Sequence, residues 1–172
     1  MRFLQAINNS VARVEAIALA VCLLTMLFVA FFQVVMRNIY DIGYVWADIL
    51  VRILVLWVGL LGAAVATSEA RHLTIDVVTK FMPPRIAQSL RVLTWLFAFT
   101  ICVLLARAAM LYIEMQKQGG EDSIFGIPAY VTEIIIPVAF VLISFHFAIL
   151  ILQGIIEVFH PTESPEHIQD IP

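Results

Sequence analysis

The chain has 172 residues, 62% of them hydrophobic and 13% charged, where a soluble domain carries about 25% charged residues. Water is therefore the wrong solvent for most of this surface. A formal net charge of -3, with ten Lys and Arg residues spread along the chain, argues against a nucleic-acid binder.

Crossing the hydrocarbon takes about 20 mostly apolar residues, and four stretches supply them: residues 16–36, 49–66, 86–110 and 134–158. A barrel strand would alternate in polarity, but residues 18–32 and 134–143 are apolar on every side, so only helices fit. The predicted fold is an all-α integral membrane protein with four transmembrane helices in one domain, residues 1–159. The first stretch is too long for a signal-peptide core and has no small-residue cleavage site after it, so it reads as an uncleaved anchor. Cys22 and Cys102 lie in separate apolar runs and read as small hydrophobes rather than a disulfide or metal site.

The loop from residue 37 to 48 follows the first span. In the second span, Asp48, Arg52, Gly59, Ala63 and Ala66 fall on one stripe at 100° per residue, with Trp57 pointing away. Small residues on such a stripe predict close helix packing, with Gly59, Ala63 and Ala66 at the contact. Next comes a segment, residues 73–81, with Leu73, Val77, Val78 and Phe81 on one side of a helical wheel and His72, Asp76 and Lys80 on the other. That pattern fits a short interfacial helix or an ordinary loop. Pro83 and Pro84 end it, and Pro84 opens the third span. The outer loop 112–130 precedes the fourth span, and the tail 160–172, with three prolines and three acidic residues, has a disordered composition.

Basic residues set orientation. Arg2, Arg13, Arg71, Lys80, Arg85 and Arg91 fall on one side; Arg37 and Lys117 fall in loops on the other, with Arg52 and Arg107 inside helices. The balance places both termini in the cytoplasm. Tyr40, Tyr44, Trp46, Tyr112 and Tyr130 read as an aromatic belt.

Ionisable groups inside a span cost roughly 2.5–3.5 kcal/mol each and normally find partners. Asp48, Arg52, Arg107 and Glu133 lie at similar depth and balance in charge, which suggests one intramembrane polar lock joining the second, third and fourth helices. Separate snorkelling of each to the interface is the plainer reading. His146, near the middle of the fourth span, is a candidate for facing a partner subunit; a neutral histidine bonded to nearby backbone is the commoner arrangement. Glu15, beside Arg13, reads as a helix-end pair. The sequence lacks a phosphate loop, an H-E-x-x-H pair and a G-x-S-x-G elbow, so no enzymatic site and no cofactor is predicted. Only Pro137 interrupts a span, close to its end, whereas a self-sufficient transporter usually has helices broken at the midplane.

Trp46-Ala47-Asp48, Arg52, Trp57 and Gly62-Ala63-Ala64, then Arg71-His72-Leu73 with Ile75-Asp76, and finally Ile127-Pro128 and Ile136-Pro137 form an ordered pattern. Over residues 14–159 it resembles the small membrane subunit, DctQ-like, of tripartite ATP-independent periplasmic (TRAP) transporters. Asp48 departs from that pattern, where Glu is the more usual residue. The resemblance implies a subunit of the bacterial inner membrane with cytoplasmic termini. It also implies a role as scaffold for a large membrane subunit, in a system where a periplasmic solute-binding protein delivers a solute, often an organic acid, for sodium-coupled import. Under this reading Trp57 and His146 are candidates for the large-subunit interface, and Asp41, Lys117, Glu121 and Asp122 for docking of the binding protein. Two other classes compete. A proton-coupled exporter would use Glu15, and a haem-bearing respiratory anchor would need axial ligands, for which His146 is the one histidine within a span.

Overall fold

Backbone groups in hydrocarbon must be bonded within their own segment, and long apolar runs lacking interior proline meet that demand as helices. The computed structural model describes residues 2–69, 84–120, 122–124 and 126–159. Helix α1 is Arg2–Tyr40 and α2 is Val45–Glu69. Helix α3, Pro84–Gly119, leads to strands β1, Asp122–Ile124, and β2, Ile127–Pro128; a short α4, Ala129–Glu133, precedes α5, Ile135–Phe159. Four stretches are long and apolar enough to cross a membrane: Asn8–Tyr40, Val45–Glu69, Ser89–Gly119 and Ala129–Ile155. The predicted four-span architecture is thus present, with helices that outrun the apolar stretches from which they were read. The segment 73–81, Glu121 and the tail 160–172 lie outside the described residues.

Helix ends follow local chemistry. Asp41 takes φ 51°, a left-handed conformation that Asp tolerates better than most residues, and Ile42 N–H reaches back to the Met36 carbonyl at 3.3 Å. This turns the chain into the α1–α2 hairpin, where Phe32 stacks on Tyr44 with ring centroids 6.0 Å apart. Gly120 follows α3 at φ 65° and Gly126 turns the β1–β2 hairpin at φ 74°, both costly for a residue with a Cβ. Pro137 lies in the first turn of α5, where its missing N–H leaves the Glu133 carbonyl without its i+4 donor. The chain breaks into α4 and α5 one residue later, at Ile134.

The four long helices pack in the order α1, α2, α5, α3, with α1 and α3 at the two edges. α3 and α5 form the most extensive pair; α1 packs along α2 and meets α5 only narrowly. Ala47, Ala64 and Ala139 are fully buried, so small side chains let the backbones approach. Large apolar residues such as Phe28, Phe31, Phe97 and Leu111 lie on the outside, as a bilayer solvent requires.

On α2 the packed residues are Ala47, Leu61 and Ala64. Asp48, Arg52, Gly59, Ala63 and Ala66 share one stripe as their spacing dictates, but the stripe faces outward, and nothing lies within 4 Å of a Cβ built on Gly59. The expected contact through Gly59, Ala63 and Ala66 is therefore corrected. The stripe carrying Asp48 and Arg52 is the one the array exposes, while an all-apolar stripe beside it is buried.

Candidate functional site

Polar side chains that sit among apolar helices either find one another or remain unsatisfied at a cost of several kcal/mol each in hydrocarbon. In this array four such contacts form between helices, and each ties a different pair of elements. Interhelical hydrogen bonds in membranes contribute about 0.6 kcal/mol on average, so these ties fix register and orientation more than they supply stability.

The tie between α1 and α5 is the deepest. His146, on α5, is 1% exposed and Glu15, on α1, is 4% exposed. His146 Nε2 lies 3.1 Å from both Glu15 carboxylate oxygens, and Nδ1 lies 2.8 Å from Asn8 Oδ1. Glu15 and Asn8 are seven residues apart, two helical turns, so they lie on one face of α1 and grip the ring from both sides. With oxygens at both nitrogens, the network needs a hydrogen at each contact. With a hydrogen on each ring nitrogen, the contact between His146 and Glu15 is an ion pair.

This arrangement corrects two expectations. Glu15 turns into the array and pairs with His146, while Arg13 is exposed and lines a groove with Asn9, Ser68 and Glu69. His146 does not face a partner subunit, because helices of its own chain enclose it. Both ring nitrogens are also engaged, leaving no lone pair for an axial haem ligand.

At the α1–α2 hairpin, Gln33 Nε2 donates to Asp48 Oδ1. Trp57 Nε1 donates to the Thr132 carbonyl at 2.9 Å, tying α2 to α4. That carbonyl is in the last turn of α4, where helix carbonyls lack internal partners, and the break before α5 leaves it available. Trp57 is half-buried and points inward, so its indole N–H serves this chain. Gln116 Nε2, on α3, donates to Glu133 Oε2 at 3.1 Å and joins α3 to α4.

The four residues expected to form one lock are thus distributed over separate contacts. Asp48 pairs with Gln33 and Glu133 with Gln116. Arg52 and Arg107 are exposed, and among the described residues no ion pair joins any of the four. Neutral glutamines satisfy the two carboxylates without bringing the arginines together. Of the docking candidates, Asp41 is exposed in the α1–α2 turn, Lys117 Nζ lies 5.5 Å from the centre of the Tyr130 ring, and Asp122 opens β1. Among the described residues there is no group of three or more His, Cys, Asp or Glu side chains that could hold a metal.

The sequence of this array can be set against known proteins. Residues 25–157 match the family of tripartite ATP-independent periplasmic transporters, DctQ component. Over 159 residues the chain is 26% identical to a TRAP transporter small permease protein of Haemophilus influenzae, covering 92% of this chain and 94% of that one. Over 84 residues it is 31% identical to the sialic acid TRAP transporter permease protein SiaT of Haemophilus influenzae, covering 46% of this chain and 14% of that longer protein.

Proposed function

The chain belongs to the DctQ component family of tripartite ATP-independent periplasmic transporters, the small membrane permease subunits, and from that premise we propose that it is the non-catalytic scaffold of a binding-protein-dependent importer in a bacterial inner membrane. Its partners in this reading are a large membrane subunit, which carries the sodium-coupled solute path, and a periplasmic solute-binding protein. Both termini are cytoplasmic, in keeping with the distribution of basic residues.

The observation that carries the reading is the set of polar ties. Each long helix is bonded through side chains to another element: α1 to α2 and α5, α2 to α4, and α3 to α4. Such bonds hold a flat array in one arrangement, as a scaffold must be held. The helix break lies at Ile134, near the start of its span, and the ionisable pair within the array is enclosed by side chains. Glu15 has only 4% exposure, which disfavours the exporter reading, since that chemistry needs a carboxylate alternately open to water. The test is purification of the chain, tagged at its C-terminus, from native membranes in mild detergent. A much larger polytopic protein should co-elute in stoichiometric amount; recovery of the chain alone, or as a homodimer, would overturn the assignment.

The outer loops, carrying Asp41, Lys117, Glu121 and Asp122, form part of the docking surface for the binding protein in this reading. Charges at such a rim steer encounter more than they add affinity. Reversing Glu121 and Asp122 to Lys should therefore slow uptake at low binding-protein concentration and low salt, with less effect at saturation. Uptake equal to the parent's at every concentration would remove these residues from the surface.

A further inference from the structure

A groove of about 310 Å³ runs along the α3–α5 contact, bordered by Phe99, Val103, Met110, Val141 and Phe145, with Arg107 on its wall. A guanidinium inside a span needs an anion or water, and among the described residues Arg107 has no ion-pair partner. Ser144 also borders the groove, but its hydroxyl hydrogen is committed to the Phe140 carbonyl at 2.7 Å.

Helix direction separates the two exposed arginines. Side chains on a helix lean toward its N-terminus. Arg52 is seven residues from the start of α2, so it leans toward the nearer helix end and can snorkel there. Arg107 is three residues before the end of the third apolar stretch, residues 86–110, a depth like that of Arg52, but on α3 it leans away from the nearer edge and toward the middle of the span. Phe99 and Val103 border the groove on the N-terminal side of Arg107, toward which its side chain leans, and Met110 borders it on the other side. Leaning away from the nearer surface, Arg107 is less well placed than Arg52 to meet a lipid phosphate, and acyl chains cannot neutralise it.

We infer that this groove is where a membrane-spanning helix of the large subunit docks, carrying an Asp or Glu side chain at the level of Arg107. The inference rests on the scaffold reading above and adds to it a face, a partner element and a matching charge. The apolar border supplies contact for an apolar helix, and Arg107 selects one with a single carboxylate in register. A charge met only on assembly also explains how an exposed arginine is accommodated within the third span. The face lies on the α3 edge of the array, away from the α1–α2 hairpin.

The test uses the whole complex, with a photo-crosslinking amino acid at Val103 and, as control, at Phe31 on the exposed side of α1. Val103 should crosslink to the large subunit, identified by mass, and Phe31 should not. Arg107→Glu should lower large-subunit recovery by more than about ten-fold, since like charges brought together cost more than one decade in binding, whereas Arg107→Lys should retain most of it. Crosslinking of Val103 to lipid alone or to a second copy, or parental recovery with Arg107→Glu, would overturn the groove assignment. The Val103 arm keeps Arg107 intact and so does not depend on that variant folding. If the parent chain itself brings down no large subunit, the scaffold reading fails and the groove assignment fails with it.

Discussion

Replacing Glu15 by Leu should lower the unfolding free energy in detergent by about 3–5 kcal/mol, the range for removing one partner of a buried pair. His146, 1% exposed, would be left with Nε2 facing an apolar side chain, and only the Asn8 contact would remain. His146→Leu should cost a similar amount, because it strands a carboxylate. The double variant Glu15→Leu, His146→Leu should cost much less than the two singles together, since apolar groups can replace a buried pair at little penalty once both charges are gone. Glu15→Gln should lie between, because an amide keeps a hydrogen-bonding group against the ring. The measurement is a double-mutant cycle on unfolding midpoints; additive single effects would mean that the two side chains are not coupled. Because α1 meets α5 only narrowly, the same variants should loosen the N-terminal half of α1 before the rest of the array.

The sequence carried the four spans because apolar runs of that length have one backbone solution in a bilayer. It also carried the angular spacing of residues on each helix, and Asp48, Arg52, Gly59, Ala63 and Ala66 do share a stripe. Periodicity does not say which stripe turns inward, and small residues proved compatible with an exposed face. The Glu15–His146 pair spans 131 positions, and no local pattern joins two residues so far apart. One signal could have raised it: a carboxylate and an imidazole, each isolated in an apolar run, are natural partners for each other. The glutamines carry no charge, so a search for intramembrane charges does not reach them. Yet Gln33 and Gln116 have the donors that Asp48 and Glu133 use, and polar uncharged residues inside spans are the usual interhelical bonding groups.

Gly154→Ala should destabilise the α3–α5 pair, although replacing a helical glycine by alanine ordinarily stabilises by about 1 kcal/mol. A Cβ at this position would lie 2.8 Å from Val92 Cγ2 and 2.9 Å from the Trp95 ring, closer than carbon atoms tolerate. Neither neighbour is the far end of a flexible chain: the valine methyl is fixed by its branch point and the indole moves only as a plate. The helices must therefore separate, and overpacking of this kind costs about 1–3 kcal/mol, enough to reverse the propensity gain. Gly154→Leu should cost more, with loss of the monodisperse species on size exclusion. Gly59 provides the internal control, since nothing lies within 4 Å of its Cβ position, and Gly59→Ala should leave the unfolding midpoint unchanged or raise it. Opposite signs at two glycines of the same chain would separate close approach from helix propensity, whereas a rise at both would show that α3 and α5 are not held at this spacing. The outcome also bears on assembly, because the groove that holds Arg107 is bordered by the same two helices, and forcing them apart at Gly154 should weaken recovery of the large subunit along with the fold.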